Sequence, residues 1–294
     1  MNRRLFVIGN GFDLHHGISS RYSDFAAYLE KVDPEAFRIA IDYVVPDRDL
    51  WNHLEERLAE IDVDQIEDHA SNFLVSYGAD DWSDAYHHDY EYEIDQICQA
   101  ISGKLRYHFS DWVRQLKIPQ HPPSKVRCID PNDVFLNFNY TPTLQRVYGV
   151  PKSHILHIHG SSLDTTDDII LGHGWDRRSS ELLSRLINED TDVRVGGGYK
   201  LIDDLLGATF KPTREIISRN NAFFSNLSSI DEVYVLGHSL AMVDEPYFHA
   251  LLEQTPATAT WTVSYHSDVV ATRIAAEKIG IAPERLLLGP LREL

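Results

Sequence analysis

The sequence predicts an α/β protein built on a doubly wound, mostly parallel, Rossmann-like sheet with a large helical insertion after the first strand. Three observations predict it. Five short apolar runs, Leu5–Ile8, Val134–Leu136, Ile155–Ile158, Val233–Leu236 and Trp261–Tyr265, have the length and composition of strands. The first is a continuous apolar run stopped by Gly9, which is how a strand buried on both faces of a parallel sheet reads. The second, third and fourth each run straight into Asn, His, Gly or Ser, and in doubly wound sheets ligands bind outside the carboxyl ends of the strands.

Taken in order, the first strand is followed directly by Gly9-Asn10-Gly11-Phe12-Asp13, and Gly17 closes the turn into a helix. Glycines there let the backbone bend tightly and approach a phosphate, and the first turn of a helix offers a partial positive charge. A nucleotide suits this loop; an ordinary strand-to-helix turn is the alternative. Asp13 reads either as part of a capped helix start or as the holder of a ribose hydroxyl.

A helical insertion is expected over about 26–125. From Glu91 to Leu116, Ile94, Ile97, Ile101, Leu105, Phe109, Trp112 and Leu116 recur every three or four residues, which places them on one core-facing helical face. Trp51, Leu54, Leu58 and Ile61 repeat the pattern. No Lys or Arg lies between Arg57 and Lys104, a stretch rich in Asp and Glu that reads as a solvated acidic face, or as a docking surface for a basic partner. Asp80, Asp81, Asp84, His87, His88 and Asp89 are metal-ligand types, but their loop-like context fixes no coordination geometry, so no metal is expected there.

Phe138-Asn139-Tyr140-Thr141 follows the second strand, where Asn139 can orient a water or a sugar hydroxyl without bringing charge. His157-Ile158-His159-Gly160 ends the third. Residues 157 and 159 share a strand face, as a metal pair would, yet a single His159 at the carboxyl edge serves better as a base, because histidine titrates near working pH. Gly237-His238-Ser239-Leu240, followed by Asp244, ends the fourth strand and offers backbone amides, a hydroxyl and a carboxylate to a ligand. A serine nucleophile is discounted, since the Gly-x-Ser-x-Gly elbow needs glycine where Ala241 stands. A second insertion over about 163–230 contains Gly172-His173-Gly174, a further candidate, and Gly196-Gly197-Gly198, read as a flexible turn or a close approach to ligand.

Composition narrows the function. With 294 residues and no domain linker evident, one large domain is expected. Forty-five acids against 27 bases give a net charge of −18 and a pI near 5.1, which disfavours general affinity for nucleic acid or anionic lipid while leaving room for a local anion pocket. Two cysteines, Cys98 and Cys128, are too few for a disulfide framework. No signal peptide and no run of about 20 apolar residues is present, so a cytoplasmic location is expected.

Five motifs in register resemble a known family. Gly9-Asn10-Gly11-Phe12-Asp13-Leu14 with Tyr22-Ser23-Asp24-Phe25, Phe138-Asn139-Tyr140-Thr141, His157-Ile158-His159-Gly160, and Gly237-His238-Ser239-Leu240 with Asp244, Tyr247 and Phe248 look like the bacteriophage abortive infection AbiH family. The same landmarks resemble, more distantly, the sirtuin fold. That likeness implies NAD binding, with Asn139 and His159 at the catalytic positions and Ser239 near the adenosine ribose. The zinc-binding cysteines of sirtuin deacylases are absent, and their Gly-Ile-Pro-Asp-Phe-Arg run is broken by Ser19–Ser23, which argues against acyl-lysine chemistry. Sirtuin-like proteins of phage defence without that zinc module cleave NAD.

The resemblance therefore implies a phage-defence effector that hydrolyses NAD to nicotinamide and ADP-ribose, with Asn139 and His159 catalytic, and with Gly9, Asn10, Gly11, Asp13, Gly237, His238, Ser239 and Asp244 binding NAD. A homo-oligomer or a defence-system partner protein is the expected assembly. Two other readings stand beside it: a non-catalytic nucleotide sensor that assembles on binding, and a metal-dependent nuclease using His157 and His159.

Overall fold

The structure is a computed structural model that describes residues 3–80, 82–84, 86–164 and 169–294. Its strands are β1 Arg4–Ile8, β2 Val134–Asn137, β3 Ile155–His157, β4 Glu232–Leu236, β5 Thr260–Tyr265 and β6 Leu286–Pro290. The helices begin with α1 Asn10–His15, α2 Tyr22–Val32, α3 Pro34–Tyr43, α4 Leu54–Arg57, α5 Val63–Ser71, α6 Tyr86–Gln99 and α7 Leu105–Gln115. They continue with α8 Thr143–Tyr148, α9 Val193–Ala208, α10 Thr213–Arg219, α11 Asn221–Phe224, α12 Glu245–Gln254 and α13 Val269–Lys278. Two compact units result: Met1–Arg21, Ser110–Ile170 and Pro212–Leu294 form unit one, and Tyr22–Phe109 with Leu171–Lys211 form unit two.

Unit one is the predicted α/β sheet. All six strands are parallel, in the order β3-β2-β1-β4-β5-β6. The chain moves outward from β1 through β2 to β3, then crosses to β4 on the other side of β1, so the direction of winding reverses between β1 and β4. β6 is a strand beyond the five expected: it carries a three-residue apolar run, Leu286-Leu287-Leu288, that ends in Gly289-Pro290, and it lies at the sheet edge with Leu287 59% exposed.

The pleat explains why the sheet is buried on both sides. Leu5, Val7, Val233 and Val235 enter one core with Phe138, Tyr247, Phe248 and Trp261. Phe6, Ile8, Phe135 and Leu236 enter the opposite one with Phe12, Val126 and Leu144. Register then aligns the carboxyl ends: Ile8 pairs with both Asn137 and Leu236, and Asn137 pairs with His157. Gly9, Phe138, Ile158 and Gly237 therefore leave the sheet at one level, which brings distant motifs to one edge.

Unit two is helical. The face predicted from Ile94 to Leu116 forms as α6, a π-turn over Ala100–Lys104, and α7, whose residues from Ser110 on belong to unit one; Ile94, Ile97, Ile101, Leu105, Phe109 and Trp112 are buried, while Leu116 lies just past α7 and is half-buried. Trp51, Leu54, Leu58 and Ile61 are buried as well, across short 3-10 and α turns. Gly196-Gly197-Gly198 is not a turn. The three lie inside α9, where a Cβ on Gly198 would fall 2.6 Å from Ile94 Cδ1 and 2.7 Å from Tyr90 Cε1, and one on Gly197 would fall 2.1 Å from Glu91 Oε1. Glycine there lets α9 lie directly on α6, which offsets a helix-propensity loss of about 1 kcal/mol per residue. Buried Lys211 donates to Glu55 at 2.7 Å, and the Tyr22 hydroxyl donates to the other Glu55 oxygen at 2.6 Å.

Of the metal-ligand types in the acidic loop, Asp81 lies outside the described residues. Among the described residues no three His, Cys, Asp or Glu side chains come together as a metal-binding group, and no helix is long and apolar enough to cross a membrane. Cys98 and Cys128 are free thiols, and burial pushes Cys98 up to about 12.

Candidate functional site at the carboxyl edge of the sheet

The loops after β1 and β4 are joined backbone to backbone. Gly9 N–H donates to Leu236 O at 2.9 Å and Gly11 N–H to Gly237 O at 2.7 Å. A Cβ on Gly9 would sit 2.6 Å from His238 Cα, and one on Gly237, whose φ is +65°, would sit 2.1 Å from Phe12 N. The glycines that sequence assigned to a phosphate serve this contact. Asn10 is exposed, but its amide donates to Ser20 O at 2.9 Å and accepts from Ser20 Oγ at 2.6 Å, which fastens the far end of the loop.

Asp13 lies beneath that loop, 1% exposed. Thr141 Oγ1 donates to its Oδ2 at 2.6 Å and Thr143 Oγ1 to its Oδ1 at 2.7 Å, while the two threonine oxygens are 2.9 Å apart. Burial pushes the Asp13 carboxyl up to about 6, against the hydrogen bonds from Thr141, Thr143 and Asn139 that pull it down. With both hydroxyls donating to the carboxylate, the 2.9 Å threonine contact carries no proton; in the neutral acid the carboxyl proton goes to one threonine, whose hydroxyl turns to the other, and all three oxygen contacts are filled. Asn139 completes the arrangement, donating from Nδ2 to Gly9 O at 3.0 Å, while its own N–H donates to Asn137 Oδ1 at 3.0 Å.

A second cluster lies on the other side of the β2 extension. Asp244 Oδ2 is 3.3 Å from His238 Nε2 and its Oδ1 is 3.9 Å from His159 Nε2, and all three residues are buried. The Tyr247 hydroxyl is 3.3 Å from His159 Nε2. The Phe138 ring is edge-on to both imidazoles, at 5.3 Å from His159 and 4.6 Å from His238. The tautomer of His238 is set by Leu240, whose N–H donates to Nδ1 at 2.9 Å, so the ring proton sits on Nε2 and faces Asp244. To aim that N–H, Leu240 adopts φ +58°, the left-handed region that side chains avoid. One carboxylate thus spans two imidazoles in an apolar setting, an arrangement suited to holding and moving a proton.

Two further histidines are fixed by partners at both ring nitrogens. His157 Nδ1 donates to Asn139 O at 2.9 Å and Nε2 accepts from Gln145 Nε2 at 3.0 Å. His16 Nδ1 donates to Phe12 O at 2.6 Å, while Nε2 accepts from the Tyr148 hydroxyl at 2.7 Å, which in turn accepts from Val126 N–H at 2.8 Å. Burial, the largest cause, holds His16 down at about 4.

The structure therefore gathers the ten sequence-assigned residues into one edge but into separate tasks. Gly9, Gly11 and Gly237 form the backbone collar; Asn10, Asp13 and Asn139 hold the loops; His159, His238 and Asp244 form the titratable cluster; Ser239 is exposed beside it. His173, the further candidate, lies in unit two. Thr143, Asn137 and Gln145 were missed, and Tyr247 was read only as part of a motif. A signal for two of them was present: Asn137 with Asn139 and Thr141 with Thr143 are spaced by two, as polar groups serving one side of an extended segment are.

No curated protein matches the sequence. A family model described as bacteriophage abortive infection AbiH matches residues 5–265, which takes in every motif at this edge. The chain belongs to the bacteriophage abortive infection AbiH family, which implies a function in abortive infection against phage.

Proposed function

We propose that the chain acts in abortive infection by hydrolysing NAD to nicotinamide and ADP-ribose at the carboxyl edge of the sheet. The observation that carries this reading is the Asp244 carboxylate set between His159 and His238 where β1, β2, β3 and β4 end together. The strand order, reversing between β1 and β4, supports it, since doubly wound sheets bind nucleotides at such a reversal. Cleavage of the bond between nicotinamide and ribose leaves an oxocarbenium-like sugar; nicotinamide departs with the bonding electrons, and water adds to the sugar carbon. In this reading His159 accepts the proton of that water, and Asp244 compensates the imidazolium charge. Asn139 acts through the loop it holds, and Ser239, exposed beside the collar, is the polar side chain available to the dinucleotide.

Nicotinamide release from NAD by the purified chain tests the reading. A positioned base is worth about 10²- to 10⁴-fold, so His159→Ala is expected to lose that factor with NAD affinity largely kept. Equal turnover by wild type and His159→Ala overturns it. A second reading, a nucleotide sensor without chemistry, is favoured by one observation: the Asp13 carboxylate and the Asn139 amide are both bonded within the protein. Calorimetric NAD binding with no nicotinamide release in any oligomeric state would select it.

A further inference from the structure

In unit two, three of the cations that are at least half-buried hold a carboxylate: Arg57 pairs with Glu60, Arg194 with Asp192 and Lys211 with Glu55. Arg177, also half-buried, has no ion-pair partner among the described residues, in a chain with 45 acids. Its guanidinium donates once, to Ala59 O at 3.2 Å, and its Nε is buried with no hydrogen-bond partner. It lies over the Trp175 ring, 4.0 Å from the centroid, and Trp175 is 43% exposed. The loop that presents both is pinned: Trp175 N–H donates to Nδ1 of buried His173, whose backbone pairs with Thr209 and Lys211. Burial pushes Arg177 down, only partly offset by Glu181 and Asp203 at longer range. A desolvated guanidinium held over an aromatic ring, without its anion, is a preorganised receptor for one.

We propose that Arg177 and Trp175 form a second ligand site, which takes a nucleotide: the phosphate pairs with the guanidinium and the base stacks on the exposed surface of Trp175. Aromatic stacking and a forked cation are the two contacts that recognise a nucleotide irrespective of its base. The site lies wholly within unit two, and the proposal is independent of the chemistry assigned to the sheet edge.

The test is to titrate the full chain with AMP, adenosine and inorganic phosphate, following tryptophan emission and calorimetric heat. AMP is expected to bind saturably and change the emission, with adenosine and phosphate each at least ~10-fold weaker, the loss expected from removing a charge-assisted pair or a stack. Arg177→Gln is expected to weaken AMP by ~10-fold or more and to leave the melting temperature of the empty chain unchanged or raised, because it removes an unpaired desolvated charge. Trp175→Leu is expected to weaken AMP and abolish the emission change, which keeps the test decisive if Arg177→Gln fails to fold. His159→Ala is expected to bind AMP as wild type does. No saturable binding of AMP, equal binding of adenosine and AMP, unaltered binding by the Arg177 or Trp175 variant, or loss in His159→Ala alone would each overturn the proposal.

Discussion

Gly11 N–H donates to Gly237 O at 2.7 Å, and neither glycine leaves room for a side chain: a Cβ on Gly11 would lie 2.9 Å from Gly237 Cα, and one on Gly237 would lie 2.1 Å from Phe12 N. The loops after β1 and β4 are thus one structural piece. Gly237→Ala meets backbone on that side and also suffers at φ +65°, so it is expected to cost more than about 3 kcal/mol or to prevent folding. Gly149 has a similar φ, +70°, but open space around it, so Gly149→Ala is expected to cost only about 1–2 kcal/mol. Denaturant unfolding of the two variants checks the difference; equal costs would mean that the collar is not tight.

The Asp13 carboxyl gives stability a pH dependence of definite sign. Burial raises it to about 6, above its ordinary 3.8, so folding takes up a proton between those values. The stabilisation is complete below about pH 4 and is lost as pH rises through about 6, amounting to about 3 kcal/mol. Asn at this position is the neutral shape of the protonated acid, so Asp13→Asn is expected to gain on wild type by up to that amount between pH 4 and 7. His16 works in the opposite direction: held at about 4 in the fold and titrating near 6.5 when unfolded, it loses stability as pH falls between those values. The difference between wild type and Asp13→Asn cancels that contribution, and a difference that does not vary with pH would contradict the ring of Asp13, Thr141 and Thr143.

Within α9 the glycines divide by what surrounds them. A Cβ on Gly198 would lie under 3 Å from Ile94 and Tyr90, whereas one on Gly207 would meet nothing within 4 Å. Gly207→Ala is therefore expected to stabilise by about 0.4–1 kcal/mol through the unfolded chain, and Gly198→Ala to destabilise by about 1–3 kcal/mol by forcing α6 away. Thermal unfolding of both decides it, and stabilisation by Gly198→Ala would show that the helices can separate without loss.

These contrasts mark what the sequence could convey. β1 and β2 were legible because a strand buried on both faces is apolar nearly throughout, β3 and β4 because a short apolar run leads into a polar cluster, β5 because it precedes a helix-like stretch, and the helical face from Ile94 because its period is local. β6 offered a run, Leu286-Leu287-Leu288, as long as Val134–Leu136, but it leads into Gly289-Pro290 rather than into a polar cluster of the kind that follows β2, β3 and β4. Gly196-Gly197-Gly198, expected to be a turn or a close approach to ligand, is instead a close approach to α6, which lies about 100 residues earlier in the chain. At the sheet edge the residue types were legible, but not their partners: Asp13 meets Thr141 and Thr143 across 128 and 130 residues, and only the register of β1 with β2 fixes that meeting.

His238 supplies a last prediction, in which strain and chemistry meet. Leu240 adopts φ +58° and through it donates to His238 Nδ1, so the imidazole is expected to carry its proton on Nε2. Nitrogen-15 NMR of the imidazole nitrogens reads this directly, independent of any activity. Leu240→Gly keeps the amide and relieves about 1–2 kcal/mol of left-handed strain, but gives up a side chain that is only 6% exposed, worth 2–5 kcal/mol in a core, so a net loss with the tautomer retained is expected. Asp244→Ala leaves His238 Nε2–H facing no carboxylate and is expected to cost about 1–3 kcal/mol, with the tautomer still held by the Leu240 amide. A wild-type His238 protonated on Nδ1 would contradict the geometry, because the Leu240 amide would then have no acceptor and its strain no purpose.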